Sequence, residues 1–210
     1  MKSHWMAKAA VVALGLSLVA CGQVSDLVSG KKSDADIKET EYPEQVYFGD
    51  THLHTANSSD AFGLGVRLGP EEALRFAMGE QVTSTTGIKA KLDRPLDFLV
   101  IADHSDGLAA LKAIHDAPKF LLRDPLLERW HDELNKGPKE SQKVAMELID
   151  RFSKRTLPPE LMDPKAQEDR VQDVWESHTK ITERYNTPGK FTAFNGFEYT
   201  LMRKGDNLHR

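Results

Sequence analysis

The sequence predicts an α/β fold in which a parallel sheet is interrupted by a block of helices, and three observations predict it. Leu96-Asp97-Phe98-Leu99-Val100-Ile101-Ala102, behind the breaker Pro95, is a near-continuous apolar run, the pattern of a strand buried on both faces of a parallel sheet. Two strand patterns end in histidines, His52 and His54 after Val46-Tyr47-Phe48, and His104 after Ala102. Ligand sites in parallel α/β folds are built at such C-terminal strand ends. From Asp106 to about residue 186 the apolar residues instead recur at helical spacing.

Composition sets the bounds. A chain of 210 residues with 40% hydrophobic content can bury one core of ordinary size. Its 28 basic and 32 acidic residues are mixed along the chain and give a net charge of -4. No run of Lys and Arg with interleaved aromatics occurs, so nucleic acid is not an expected partner. A single cysteine rules out an intrachain disulfide.

Lys2, His4 and Lys8 form a short basic region before the apolar run from Ala9 to Ala20. That run falls short of the roughly 20 residues a membrane-spanning helix needs, and reads as the core of a signal peptide. It ends in Leu18-Val19-Ala20-Cys21, which resembles the bacterial lipobox, and the chain's one cysteine stands where the lipid is attached. Residues 1–20 are therefore expected to be removed and Cys21 to be lipidated. The alternative is a cleaved soluble signal peptide with an incidental thiol. A lipid on Cys21 makes the membrane a partner and the cell envelope the expected location. Gly22 rather than Asp after the cysteine favours the outer membrane or a periplasm-facing position. Residues 21–44 are polar and without apolar period, as in a flexible tether.

The folded domain is expected over 45–210. Val46, Tyr47 and Phe48 are strand formers, and the strand runs into Asp50-Thr51-His52-Leu53-His54. Alternation places His52 and His54 on one side of an extended chain, where two imidazoles could chelate a cation. An exposed strand end with two solvated histidines is the other reading of such a short pattern. A Ser/Asn/Gly-rich loop from Ala56 to Gly69 contains Asp60. A helix starts at Pro70, with Glu71 and Glu72 against its positive end, and stops at Gly79. A polar Thr/Ser stretch separates it from the strand at Leu96–Ala102.

Helices are then expected over Asp106–His115, Pro125–Leu134, Lys139–Lys154 and Gln167–Tyr185, with Thr156-Leu157-Pro158-Pro159 as an interruption. His115, His131 and His178 lie on them, away from strand ends, and read as packing or surface residues. Thr187-Pro188-Gly189 breaks the last helix, and Lys190 to Thr200 reads as a third strand with Glu198 near its end. Glu198 is a lone carboxylate whose alternative role is an exposed edge charge. The tail from Arg203 to Arg210 is polar and brings one more histidine, His209.

Four stretches in order, YFGDTHLHT, PLDFLVIADHS, GKFTAFNGFEYT and NLHR, resemble the motifs of a bacterial family of unknown function within the PHP superfamily, named for polymerase and histidinol phosphatase. The resemblance covers about residue 46 to the end. It implies a distorted β/α barrel with up to three divalent metals at its C-terminal mouth. Position by position, His52 and His54 match the first ligand pair, and Asp60 falls where many members place a further ligand. His104 matches the histidine of the second motif, Glu198 the bridging glutamate of the third, and His209 the next histidine. Members supply more ligands further downstream, and a barrel needs more strands than the three legible here. The chain is accordingly expected to be the N-terminal part of such a barrel, incomplete, with a helical insertion over about 106–186.

Imidazoles with carboxylates suit Zn, Mn or Fe better than Ca or Mg, and the resemblance implies two or three such ions. A hydroxide bridging two such ions would attack an ester of a tetrahedral anion. The expected function is a metal-dependent hydrolase, a phosphoesterase first and a sulfate esterase second, acting on a small anionic ester. The alternative is a non-catalytic or incomplete metal-binding surface lipoprotein. Arg203, Lys204 and Arg210 are candidates for matching substrate charge, although a solvated tail is the simpler role. Asp50 and Asp103, one or two residues from ligand histidines, are expected to orient the imidazoles.

Overall fold

The structure is a computed structural model that describes residues 45–203 and 206–210. The expectations for the signal peptide, Cys21 and the tether fall outside these residues. Tyr47–Arg210 forms one compact unit of mixed α/β character. In chain order it contains β1 (Gly49–Leu53), α1 (Ser59–Gly63), α2 (Pro70–Ala77), β2 (Val82–Thr83), β3 (Lys89–Ala90) and β4 (Phe98–Ile101). These are followed by α3 (Ala110–Asp116), a 3-10 turn (Lys119–Leu121), α4 (Pro125–Leu134), α5 (Pro138–Lys154), α6 (Pro159–Met162) and α7 (Pro164–Tyr185). The last elements are β5 (Thr192–Asn195), β6 (Thr200–Arg203) and β7 (Asp206–His209).

The central sheet has three strands in the order β1-β4-β5, and both pairings are parallel, as the apolar run at β4 implies. No closed barrel forms among the described residues. Most of the segment from Ala110 to Tyr185 carries helical periodicity and goes into helices, so three strands pair in this sheet among the described residues. The expectation that β4 is buried on both faces is also corrected. Leu99 and Ile101 are buried, whereas Phe98 and Val100 are half-buried on the opposite face, beside exposed Phe194. Among the described residues helices thus cover one face alone, where Leu99, Ile101, Phe191 and Ala193 pack with Leu74 and Ala77 of α2 and with Ile181 and Tyr185 of α7.

Two helices start at side-chain caps, whereas α3 begins at Ala110 rather than at the expected Asp106, and α7 at Pro164 rather than Gln167. Asp124 and Asp163 each accept a backbone N–H of the first turn, from Leu126 and Ala166 at 2.7 Å, and a proline follows each cap. At α2, Glu72 Oε2 accepts the Gly69 N–H at 3.0 Å. Gly79, at φ +81, ends that helix in a conformation that favours glycine. A second core joins Phe62 of α1 to Leu111, Ile114, Trp130, Leu134 and Val144 of α3 to α5. The helical insertion is therefore a packed layer of its own, and α1 ties it to the end of β1.

Five local expectations are corrected. Val46–Phe48 is exposed and precedes β1, because Phe48 meets the sheet only through its backbone: its N–H donates to Asp97 Oδ2 and its carbonyl accepts from Asp97. The loop after β1 contains α1, and the polar stretch after α2 forms the β2–β3 hairpin. The expected strand over 190–200 divides after Asn195, since Gly196 sits where an added Cβ would lie 2.5 Å from Val100 Cγ1. The polar tail is not a free end, for β7 pairs antiparallel with β6 and folds back over the sheet's C-terminal edge.

Candidate metal centre

The three parallel strands end together, at Leu53, Ile101 and Asn195. Histidines and carboxylates follow each end. An irregularity in β1 between Asp50 and Leu53 places one extra residue opposite β4, and Asp50 Oδ1 accepts the His52 N–H at 2.8 Å across it. Such bulges re-aim side chains at strand ends. Beyond β4 and β5, parallel pairing resumes as a bridge between His104 and Glu198. There Glu198 N–H donates to the Asp103 carbonyl and Ser105 N–H to the Glu198 carbonyl. That bridge fixes the carboxylate beneath the histidines.

Glu198 is the centre of the arrangement, with 3% of its surface exposed. Its Oε2 lies 2.7 Å from His52 Nε2 and 2.8 Å from His54 Nε2, and its Oε1 lies 2.5 Å from His209 Nδ1. His104 Nε2 stands further off, 3.8 Å from Glu198 and 3.7 Å from Asp60 Oδ2. Burial alone would raise the Glu198 pKa, but hydrogen bonding from His52 and the surrounding imidazoles hold it below the ordinary carboxylate value. Asp60, in the first turn of α1, is held well below the ordinary carboxylate value too. There burial is opposed by hydrogen bonds from His54, Ser58 and the Ala61 N–H.

The rings are oriented from behind. His54 Nδ1 lies 2.9 Å from Asp60 Oδ2, which places its proton on Nδ1 and raises its pKa. The lone pair then falls on Nε2, which is buried and close to Glu198 Oε2 without hydrogen-bonding geometry. Two electron-rich atoms so placed suit a shared cation. His104 Nδ1 meets Thr200 Oγ1 at 2.9 Å, leaving Nε2 turned toward Asp60 and Glu198, and burial lowers the pKa of this ring. A neutral imidazole is the form that binds metal.

Three groups of these side chains could hold a metal ion: His52, His54 and Glu198; His54, Asp60 and His104; and His104, Glu198 and His209. All six expected ligands are therefore brought together, and each group shares a member with the other two. His115 lies instead against Phe62 and Asp116, and His178 stacks on Trp175.

Other expectations do not fit the geometry. Neither Asp50 nor Asp103 touches an imidazole. Asp50 fixes the His52 backbone, and buried Asp103 accepts the Thr55 N–H at 2.5 Å and hydroxyl at 2.7 Å, so it holds the turn after His54. Arg210 is exposed and pairs through its backbone with Tyr199. The side chain of Arg203 and all of Lys204 fall outside the described residues. Sequence reading missed Ser58 and Thr200. Ser58 Oγ donates to Asp60 Oδ1 at 2.6 Å and accepts the His104 N–H at 3.2 Å. Hydroxyls of this kind carry no distinguishing spacing.

The fold and the site define a mixed α/β domain with a clustered histidine–carboxylate centre able to hold metal. The chain belongs to the family described as a protein of unknown function (DUF3604), whose match covers residues 41–210. No curated protein and no solved structure matches it.

Proposed function

We propose that this chain is a metal-dependent hydrolase of the PHP type, acting on an ester of a tetrahedral anion, phosphate first and sulfate second. One observation carries the proposal: a buried carboxylate, Glu198, shared by two of three overlapping ligand groups at the C-terminal edge of a parallel sheet. Overlap of that kind suits two or three ions with Glu198 bridging, and the donor set suits Zn, Mn or Fe. On this reading β1, β4 and β5 are strands of a PHP-type β/α barrel. Bound divalent ions would acidify water and offset charge on the ester oxygens.

The chain's own residues prepare the rest. Asp60 keeps the His54 proton on Nδ1, Thr200 fixes the His104 ring, and Asp103 holds Thr55 so that the two motifs stay in register. In the balanced reaction, water adds to phosphorus or sulfur, the ester P–O or S–O bond breaks, and the departing alcohol takes up a proton. Cys21 would anchor the domain in the cell envelope through its lipid. Among the described residues no helix is long and apolar enough to cross a membrane.

Elemental analysis of the purified protein, with a screen of phosphate and sulfate monoesters, tests the activity. Bound transition metal and turnover abolished by His54→Ala and Glu198→Ala are expected. Tight metal with no turnover of any ester would favour the non-catalytic alternative. For the anchor, palmitate labelling should vanish in Cys21→Ala, and labelling that persists would refute it.

A further inference from the structure

A cavity of about 190 Å³ opens beside the metal centre. At one end it is lined by Asp60, His104 and His209. Its far wall comes from the helical insertion, chiefly Ile149 and Phe152 of α5 and Leu161 and Met162 of α6. Phe152 and Met162 are each 40% exposed. Two large apolar side chains left open beside a histidine–carboxylate centre are a poor surround for a polyol or sugar ester. They are a good one for an apolar group, since a dry cavity of about 150 Å³ already accommodates benzene. The same cavity is lined by Arg170 of α7, half-buried, whose Nε donates to the Leu108 carbonyl at 3.2 Å. Its guanidinium pairs with no carboxylate among the described residues, so its remaining N–H groups can meet an anion.

We infer that the substrate is a monoester whose organic group is apolar and ring-sized. That group is seated between α5 and α6, with the anionic head at the metal ligands and Arg170 pairing with one of its charged oxygens. Its turnover rests on the hydrolase reading above, but its binding does not. The helical insertion is then the specificity element of the domain.

Calorimetry on the metal-loaded chain with two non-hydrolysable probes, phenylphosphonate and methylphosphonate, tests the inference. Phenylphosphonate should bind at least about tenfold tighter, the scale expected when an apolar pocket is filled. The ratio should fall to within about threefold in Met162→Glu and in Phe152→Ser, two exposed positions where folding should survive. Arg170→Met should weaken both probes by about tenfold, and Arg170→Lys by less. Equal affinities, a preference that survives both pocket variants, or no binding of either probe would overturn the inference. Turnover of ethyl phosphate and 2-phenylethyl phosphate, whose leaving groups are alike, separates the two readings. Binding preference with no turnover of either ester sinks the hydrolase and keeps the pocket, whereas equal kcat/KM for both keeps the hydrolase and sinks the pocket.

Discussion

Replacing Glu198 by Gln separates a metal centre from a cluster that merely packs. The amide keeps the side chain's shape in a site where 3% of the residue is exposed, so no cavity opens. Without metal, two charge-assisted contacts are at stake, from His52 Nε2 at 2.7 Å and His209 Nδ1 at 2.5 Å. Exchanging each for a neutral hydrogen bond costs about 1 kcal/mol. Relief from burying a carboxylate offsets a similar amount. Metal-free stability should therefore stay within about 2 kcal/mol of the parent, as read from urea unfolding. Metal affinity should behave differently, because Glu198 belongs to two of the three ligand groups. Loss of a mere orienting partner costs about 10–100-fold in affinity, so loss of a shared anionic ligand should cost at least about 100-fold. Chelator competition with Zn²⁺ or Mn²⁺ measures this, with His115→Ala as the control, since that ring lies outside every ligand group. Affinity and stoichiometry unchanged within about threefold, in a variant of normal stability, would refute the reasoning.

Other perturbations test the supports. Asp103→Ala removes the buried acceptor of both the Thr55 N–H and hydroxyl and should cost about 3 kcal/mol. Asp103→Asn should cost about 1 kcal/mol, because one acceptor survives; equal losses in urea unfolding would count against this role. In Gly196→Ala the new Cβ would meet Val100 Cγ1 at 2.5 Å and the Ile101 carbonyl oxygen at 3.2 Å, costing about 1–3 kcal/mol. Glu198 lies two residues on, so metal affinity should fall with the melting temperature, and a variant with both unchanged would show that the close approach is unimportant. Glu147 makes contacts of 2.6 Å to Arg129 Nη2, 2.8 Å to Arg151 Nε and 3.1 Å to Trp130 Nε1. Against the opposing effect of burial, these hold its pKa down to about 2. Because the folded value lies below the unfolded one, this stabilisation is present above about pH 4.5 and lost as the pH falls toward 2. Given its partial exposure, roughly 1–2 kcal/mol should disappear across that window. Glu147→Gln should flatten this acid limb, and an unaltered limb would assign acid sensitivity elsewhere.

What the sequence made legible was set by the range of the interactions involved. Helices α4 and α5 are legible to within a residue of their ends, because Pro125 and the apolar spacing are local signals. The parallel character of β4 was legible from its apolar run, since burial by neighbours is written into the strand's own composition. Its second face was misjudged because half-burial depends on which elements arrive from elsewhere in the chain. The ligand set could be listed from ordered motifs, but its geometry could not. His209 reaches Glu198 through the β6–β7 hairpin, and that hairpin has no turn signature stronger than Lys204-Gly205 within a charged tail.

The supports of the site were the least legible part, for a physical reason. Asp103 was expected to hold an imidazole because it adjoins His104 in sequence, yet along an extended segment adjacent side chains point to opposite faces. It therefore faces away from the His104 ring and toward the turn behind His54, where it accepts from Thr55 across a separation of 48 residues. The ring of His104 is held from further still, by Thr200, 96 residues on. Four of the six ligands, His52, His54, His104 and Glu198, are placed by strand ends and so follow the order of the sequence. Residues that hold them are placed by the sheet's packing and follow only its spatial order. The same distinction explains why the cavity wall at Phe152 read as ordinary helix: an apolar side chain at helical spacing looks the same whether a neighbouring helix or a substrate is to cover it.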